Sequence, residues 1–117
     1  MYEKHKLTKI VEELTMFFFG IGGNDITSRI QEVNNTAIIT FTSNYDLALA
    51  HKLDAMEDFL NRTKNDCIED VYWELAGLGE PGETSQLLLI GMMIDKATVH
   101  IKDGYVTIEL EKSLYPS

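Results

Sequence analysis

The glycines from Gly77 to Gly82 have the spacing of a phosphate-binding loop, because the stretch reads Gly-Leu-Gly-Glu-Pro-Gly and an apolar run follows it. In dinucleotide sites such glycines let the backbone approach a pyrophosphate at a helix N-terminus. Here no clear strand precedes the glycines, the loop contains no lysine, and Glu80 and Glu83 would repel a phosphate. The stretch is therefore interpreted as a loop without a phosphate role, and no cofactor is expected.

Two further features could take part in metal binding or catalysis, and each has a simpler structural interpretation. His51, Asp54 and Asp58 follow one another at helical steps and could hold a metal. No CxxC or HxxxH pair supports such a site, so a solvated acidic face is preferred and no metal is expected. Cys67, the only cysteine, could be a nucleophile beside a histidine. A lone cysteine is more often a small buried apolar residue.

Composition narrows the class of partner. The chain of 117 residues has ten Lys and Arg against nineteen Asp and Glu, a formal charge of −9. Nucleic-acid binding depends on cations that neutralise phosphates, so neither nucleic acid nor an anionic membrane is expected as a partner. A basic protein partner stays open. The single cysteine and the absence of a signal peptide at the N-terminus predict a cytoplasmic protein.

The C-terminal third of the chain predicts a buried helix followed by a β-hairpin. Leu87–Ile94 is apolar all round, which is typical of a helix inside a protein. Strands are predicted over Thr98–Lys102 and Tyr105–Lys112, because Asp103-Gly104 between them suits a type I′ turn. A two-residue turn pairs Lys102 with Tyr105 and Val99 with Ile108, which places the apolar residues on one face.

The N-terminal part repeats this pattern of a helix and a hairpin. Apolar residues from Leu7 to Ile21 have helical spacing, and Gly20 is predicted to cap the helix. Asn34-Asn35 is predicted to form a turn, since asparagine tolerates positive φ. The resulting register pairs Val33 with Thr36, Ile30 with Ile39 and Ser28 with Phe41, and again predicts one apolar face.

The middle of the chain is predicted to be helical. Ser43-Asn44 can cap a helix that ends near Arg62. Its predicted buried stripe is Leu49, Leu53, Met56 and Leu60. A short helix is predicted over Cys67–Leu75. Residues 1–117 are thus predicted to form a single α+β domain: a two-layer sandwich with a mainly antiparallel sheet from two hairpins and helices on one face.

The order of elements resembles the ATPase domain of the histidine-kinase type (the GHKL or Bergerat fold), especially the short versions in anti-sigma-factor kinases. The resemblance covers most of the chain, and Glu13 stands where that family carries a general base. Phe17 replaces the asparagine that holds Mg²⁺, and Ser43-Asn44-Tyr45-Asp46 replaces the glycine-containing loop that reads adenine. The resemblance therefore implies a degenerate relative that does not hydrolyse ATP.

Three functions are compatible with these patterns. The preferred one is a small acidic regulatory domain that acts by binding protein, without catalysis. Its predicted contact residues are Tyr72, Trp73 and Leu78, because a short helix cannot bury every apolar residue of that segment. These residues would contact a protein partner or a second copy in a homodimer. The alternative is an ATP-binding kinase of the anti-sigma-factor type with Glu13 as general base, so the question of an enzyme stays open. The third is a structural subunit of an oligomer.

Overall fold

The structure is a computed structural model that describes residues 2–54, 56–62, 87 and 89–114. In chain order the elements are α1 (Tyr2–Gly20), β1 (Ile26–Val33), β2 (Thr36–Asn44), a 3-10 helix (Leu47–Leu53), α2 (Met56–Arg62), the helical residues 89–93, β3 (Lys96–Lys102) and β4 (Tyr105–Ser113). The chain has the predicted α+β class. None of the described helices is long and apolar enough to cross a membrane.

Four antiparallel strands form one sheet in the order β1-β2-β4-β3. Both predicted hairpins are present, and their turns have positive φ at Asn34 (51°), Asn35 (63°), Asp103 (53°) and Gly104 (80°). The predicted pairs are confirmed: Val33–Thr36, Ile30–Ile39, Ser28–Phe41, Lys102–Tyr105 and Val99–Ile108. The two hairpins join through β2 and β4, the central strands.

The core lies on one face of the sheet. Residues alternate along β2 and β4, and every second side chain is buried. The buried apolar residues of these two strands are Ala37, Ile39, Phe41, Val106, Ile108 and Leu110. The helices supply the other layer, and the buried residues of α1 and its end are Leu7, Ile10, Leu14, Phe17, Phe18 and Ile21. The opposite face of the sheet is mostly polar and partly exposed, as expected for an antiparallel sheet with one packed face.

The end of α1 corrects the predicted cap. The helix includes Gly20, and the residue in the left-handed region is Gly22, at φ 91°. The amide of Gly23 donates to the Phe18 carbonyl at 2.7 Å and that of Gly22 to the Phe19 carbonyl at 3.3 Å. These are the two hydrogen bonds of a Schellman motif, which needs positive φ at Gly22 rather than at Gly20.

The predicted helix ending near Arg62 is two elements, so that prediction is wrong. Ser43 and Asn44 belong to β2, and the cap is Asp46, whose Oδ1 accepts from the Ala48 amide at 3.0 Å. The 3-10 helix ends before Asp54, which is extended at φ −62° and ψ 134°. The predicted apolar residues nevertheless face the core. Leu53, Met56 and Leu60 are buried, and Leu49 is partly buried. The break means that His51 and Asp58 do not share a helical face.

The apolar helix is buried on one side only. Leu87, Ile90 and Ile94 are buried as predicted, and the last of them lies beyond the helical residues. Leu89 and Met92 are 40% and 45% exposed, so the prediction that this helix is buried on every side is wrong. A helix that covers one face of a two-layer sandwich necessarily turns its outer side away from the sheet.

The first hairpin also departs from expectation, although its register is right. Ile30 was expected to share the buried apolar face, and it is 46% exposed. The reason is the position of α1, which packs mainly against β2 and contacts β1 less. The outermost strand therefore extends beyond the helical layer.

Candidate functional site

The two outer strands, β1 and β3, decide what the sheet can bind. In an antiparallel hairpin, every second residue directs its N–H and C=O away from its partner strand. The two-residue turns place Val33–Thr36 and Lys102–Tyr105 as hydrogen-bonded pairs. The outward backbone groups are then those of Ile26, Ser28, Ile30 and Glu32 on β1 and of Ala97, Val99 and Ile101 on β3.

The edge of β3 is closed at Ala97 and Val99 by side chains from α2. Asn61 donates from Nδ2 to the Ala97 carbonyl and accepts the Ala97 amide at Oδ1, both at 2.9 Å. One helical turn earlier, Glu57 Oε1 accepts the Val99 amide at 2.7 Å. The carboxamide of Asn61 thus makes the two bonds that a neighbouring strand would make. An incoming strand cannot pair here without displacing α2.

Within the part of the chain that the structure describes, the edge of β1 is open. Seven of its eight residues are exposed, and Ile26 is intermediate. No hydrogen bond joins its outward N–H and C=O groups to another described residue. Natural edge strands are blunted by proline, bulges, added charge or a covering element. β1 has no proline and no bulge in its register with β2, and its charged residues are one arginine and one glutamate, Arg29 and Glu32. Beside this edge, an ion pair of 3.1 Å joins Lys4 of α1 to Glu32, and both side chains are about half exposed.

A polar network fixes the start of β1. The Oδ1 of Asn44 accepts the amides of Asn24 and Asp25 at 2.8 and 3.0 Å, and its Nδ2 donates to Asn24 Oδ1 at 2.7 Å. From β4, the Tyr105 hydroxyl donates to Asp25 Oδ2 at 2.6 Å. This hydrogen bond, with the charge of the Asp25 carboxylate, raises the pKa of Tyr105. These hydrogen bonds join the residues that precede β1 to the end of β2 and to β4.

Glu13, the residue assigned as a general base in the alternative function, forms an ion pair within α1. Lys9 Nζ lies 2.9 Å from Glu13 Oε1 and 3.3 Å from Glu12 Oε2. The hydrogen bond to Glu13, followed by that to Glu12, raises the pKa of Lys9. This arrangement is common for residues four apart on a helix and gives Glu13 a structural partner. Its role as a base stays a prediction.

The other residues singled out from the sequence are not brought together. In the described ranges, no three His, Cys, Asp or Glu side chains lie close enough to hold a metal ion. Tyr72, Trp73 and Leu78 fall outside the described residues, as do Cys67 and the Gly77–Gly82 stretch. The contact role predicted for the first three stays a prediction.

Comparison with protein-family models, with curated proteins and with solved structures gave no match to this chain. The function therefore has to be argued from the sheet itself. The open edge was missed in the sequence, although the signal was present: Ile26–Val33 alternates without a proline or a lysine. The contacts of α2 with β3 had a weaker signal in the sequence, namely that Glu57 and Asn61 are one helical turn apart. Polar pairs at that spacing usually face solvent.

Proposed function

We propose that the chain is a small regulatory domain of the cytoplasm that binds protein without catalysis, and that it does so by accepting an extended segment as a fifth strand beside β1. The observation that supports this proposal is the contrast between the two edges of one sheet. α2 closes β3 at Ala97 and Val99 through Asn61 and Glu57, whereas β1 is eight residues long, exposed, and without a hydrogen bond from its outer edge to another described residue. Strand addition to such an edge is a recurrent way of binding polypeptide segments.

The chemistry of β1 indicates what an added strand would meet. Backbone groups of Ser28, Ile30 and Glu32 supply hydrogen bonds that do not depend on the partner's sequence. The Ile30 side chain, 46% exposed, supplies an apolar contact on the side of the sheet where the helices lie. Pockets and contacts for alternate side chains give such binding its specificity. We expect bound segments to carry an apolar residue opposite Ile30.

The predicted contact residues Tyr72, Trp73 and Leu78 remain part of the proposal as a second region of contact. The likeness to a degenerate histidine-kinase-type ATPase also remains a proposal, and it rests on the order of elements predicted from the sequence. No observation in the described residues favours the ATP-binding alternative over protein binding.

A selection from displayed random nine-residue peptides tests strand addition directly. The decisive variant is Ile30→Pro, which removes one outward N–H while leaving the β1–β2 hydrogen bonds in place. The matched control is Ile101→Pro, on the opposite edge, because Ile101 has the same orientation and a similar exposure of 49%. Selected peptides should bind the native chain and the control and lose most of their affinity for Ile30→Pro. Peptides that bind Ile30→Pro equally well would refute strand addition at β1.

A further inference from the structure

We infer that the segment added to β1 is the β1 strand of a second copy of this chain, so that two sheets join antiparallel across a two-fold axis at Ile30. This inference rests on the proposed function, since it names the partner of the same edge. The result is a symmetric dimer with one continuous sheet of eight strands. Such isologous pairing is the commonest form of homo-oligomer symmetry.

The register of strand pairing determines the position of the two-fold axis. Outward backbone groups lie on the even-numbered residues of β1, so even residues must pair with even ones. An axis at Arg29 places two guanidinium side chains directly opposite each other, which is unfavourable. Axes at Ser28 or Gln31 shorten the overlap to five strand residues, Ile26–Ile30 or Arg29–Val33, out of the eight in β1.

The axis at Ile30 avoids both problems. It pairs seven residues, from Thr27 to Val33, with the same stretch of the second copy. The two Ile30 side chains then meet on the helical side of the sheet, where each is 46% exposed in the single chain. The remaining facing pairs are Ser28 with Glu32, Arg29 with Gln31 and Thr27 with Val33. Only this register removes apolar surface from water at its centre without opposing like charges.

Charge also favours β1 as the contact between copies. Each chain carries a formal charge of −9, so two copies repel one another over most of their surface. β1 contains one arginine and one glutamate and is locally neutral. The contact at β1 therefore adds no net charge of its own to the repulsion between the copies. Added salt should therefore strengthen the dimer, because it screens the repulsion between the net charges.

The contact is narrow, so the dimer is expected to exchange with monomer. Pairing along a single seven-residue stretch is small compared with a standard stable interface of about 1,600 Å². Its dissociation constant should therefore be roughly micromolar or weaker.

Sedimentation velocity of the full chain across a range of concentrations tests this inference. The native chain and Ile101→Pro should form a dimer that Ile30→Pro abolishes. Amide exchange should slow at Ile30 as concentration rises and stay unchanged at Ile101. If Ile30→Pro fails to fold, the charge variants described next decide the question alone.

Variants of Gln31 test the register, because Gln31 faces Arg29 of the second copy twice in the symmetric dimer. Gln31→Glu should tighten the dimer about 2- to 30-fold, and Gln31→Arg should weaken it by a similar factor. If net charge alone governed association, Gln31→Glu would form the weaker dimer and Gln31→Arg the tighter one, since the glutamate variant is the more acidic of the two. Equal dissociation constants, or the reverse order, would overturn this register.

The remaining outcomes separate the two proposals. A chain that stays monomeric at every concentration overturns pairing with a second copy, while peptides selected at β1 would still support strand addition. A dimer that persists in Ile30→Pro, or a native dimer in which the Ile30 amide gains no protection, shows an interface elsewhere and also overturns the inference.

Discussion

Replacing Asn61 by alanine should reopen the β3 edge that α2 closes. The side chain makes two hydrogen bonds of 2.9 Å to the backbone of Ala97, at a partly buried position. Each bond contributes about 0.5–1.5 kcal/mol, so losing both should cost roughly 1–3 kcal/mol. Alanine is the better helix former by at most about 0.7 kcal/mol, which offsets part of this loss. The expected net loss in the free energy of unfolding is about 1–2 kcal/mol.

Urea unfolding measures this loss. With a slope of about 1–2 kcal/mol per molar urea, the midpoint of Asn61→Ala should fall by about 1 M. Asn61→Asp should lose at least as much, because a carboxylate oxygen would then face the Ala97 carbonyl in place of the amide donor. Glu12→Ala is the matched control, since the contact of Glu12 among the described residues is an exposed ion pair and its loss should change stability by less than about 0.5 kcal/mol.

Amide exchange in the native chain gives an independent test of the same reasoning. The Ala97 and Val99 amides are bonded to Asn61 and Glu57, whereas the Ile101 amide on the same edge has no bond to a described residue. Ala97 and Val99 should therefore exchange more slowly than Ile101. Asn61→Ala should accelerate Ala97 selectively. An Ala97 amide that exchanges as fast as that of Ile101 in the native chain, or an unchanged urea midpoint in Asn61→Ala, would refute closure of this edge by α2.

Three further predictions concern the end of α1, the hydrogen bond between Asp25 and Tyr105, and the binding of ATP. Gly22→Ala should destabilise the chain by about 1–3 kcal/mol on thermal or urea unfolding. The reasons are that the φ of Gly22 is 91° and that an added Cβ would lie 2.8 Å from the Cβ of Asp46. The control is Gly20→Ala, because a Cβ added at Gly20 would have no atom within 4 Å. Asp25→Asn should lower the raised pKa of Tyr105, measured by absorbance titration against Tyr105→Phe. Since the pKa of Tyr105 is raised in the fold, its contribution to stability is complete below the ordinary pKa of 10.0 and is lost as pH rises through the folded value. Mg-ATP should leave the melting temperature unchanged. A ligand at a hundred times its dissociation constant would add about 2.7 kcal/mol to the free energy of unfolding, and such an increase with Mg-ATP would favour the kinase alternative.

Turn chemistry explains why both hairpins could be predicted from the sequence. Asn34-Asn35 and Asp103-Gly104 accept positive φ, and a two-residue turn then determines every pair along the strands. Side-chain alternation identifies the inward face. These signals are local, so no knowledge of the rest of the fold is needed to read them.

The features that were missed depend on contacts between distant parts of the chain. The spacing of Leu49, Leu53, Met56 and Leu60 suits one helix or two, and only the packed core shows the break at Asp54. The exposure of Ile30 depends on where α1 lies across the sheet. Closure of β3 joins Asn61 to Ala97, which is 36 residues further along the chain. The candidate site is defined by this contrast between edges, and so the sequence alone did not reveal it.

The pairing of β2 with β4 has a consequence for how the chain is made. The hydroxyl groups of Thr42 and Thr107 lie 3.4 Å apart across the centre of the sheet, although 65 residues separate them in sequence. At a synthesis rate of about 5–20 residues per second, β2 leaves the ribosome roughly 3–13 s before β4. Each hairpin forms within about 1–10 μs once its residues are available. For several seconds the nascent chain therefore carries two unpaired edges, one on each side of its first hairpin. Folding cannot be completed until the second hairpin arrives, and the slow event should be the docking of the two hairpins, because closing so long a loop costs more entropy than forming either turn.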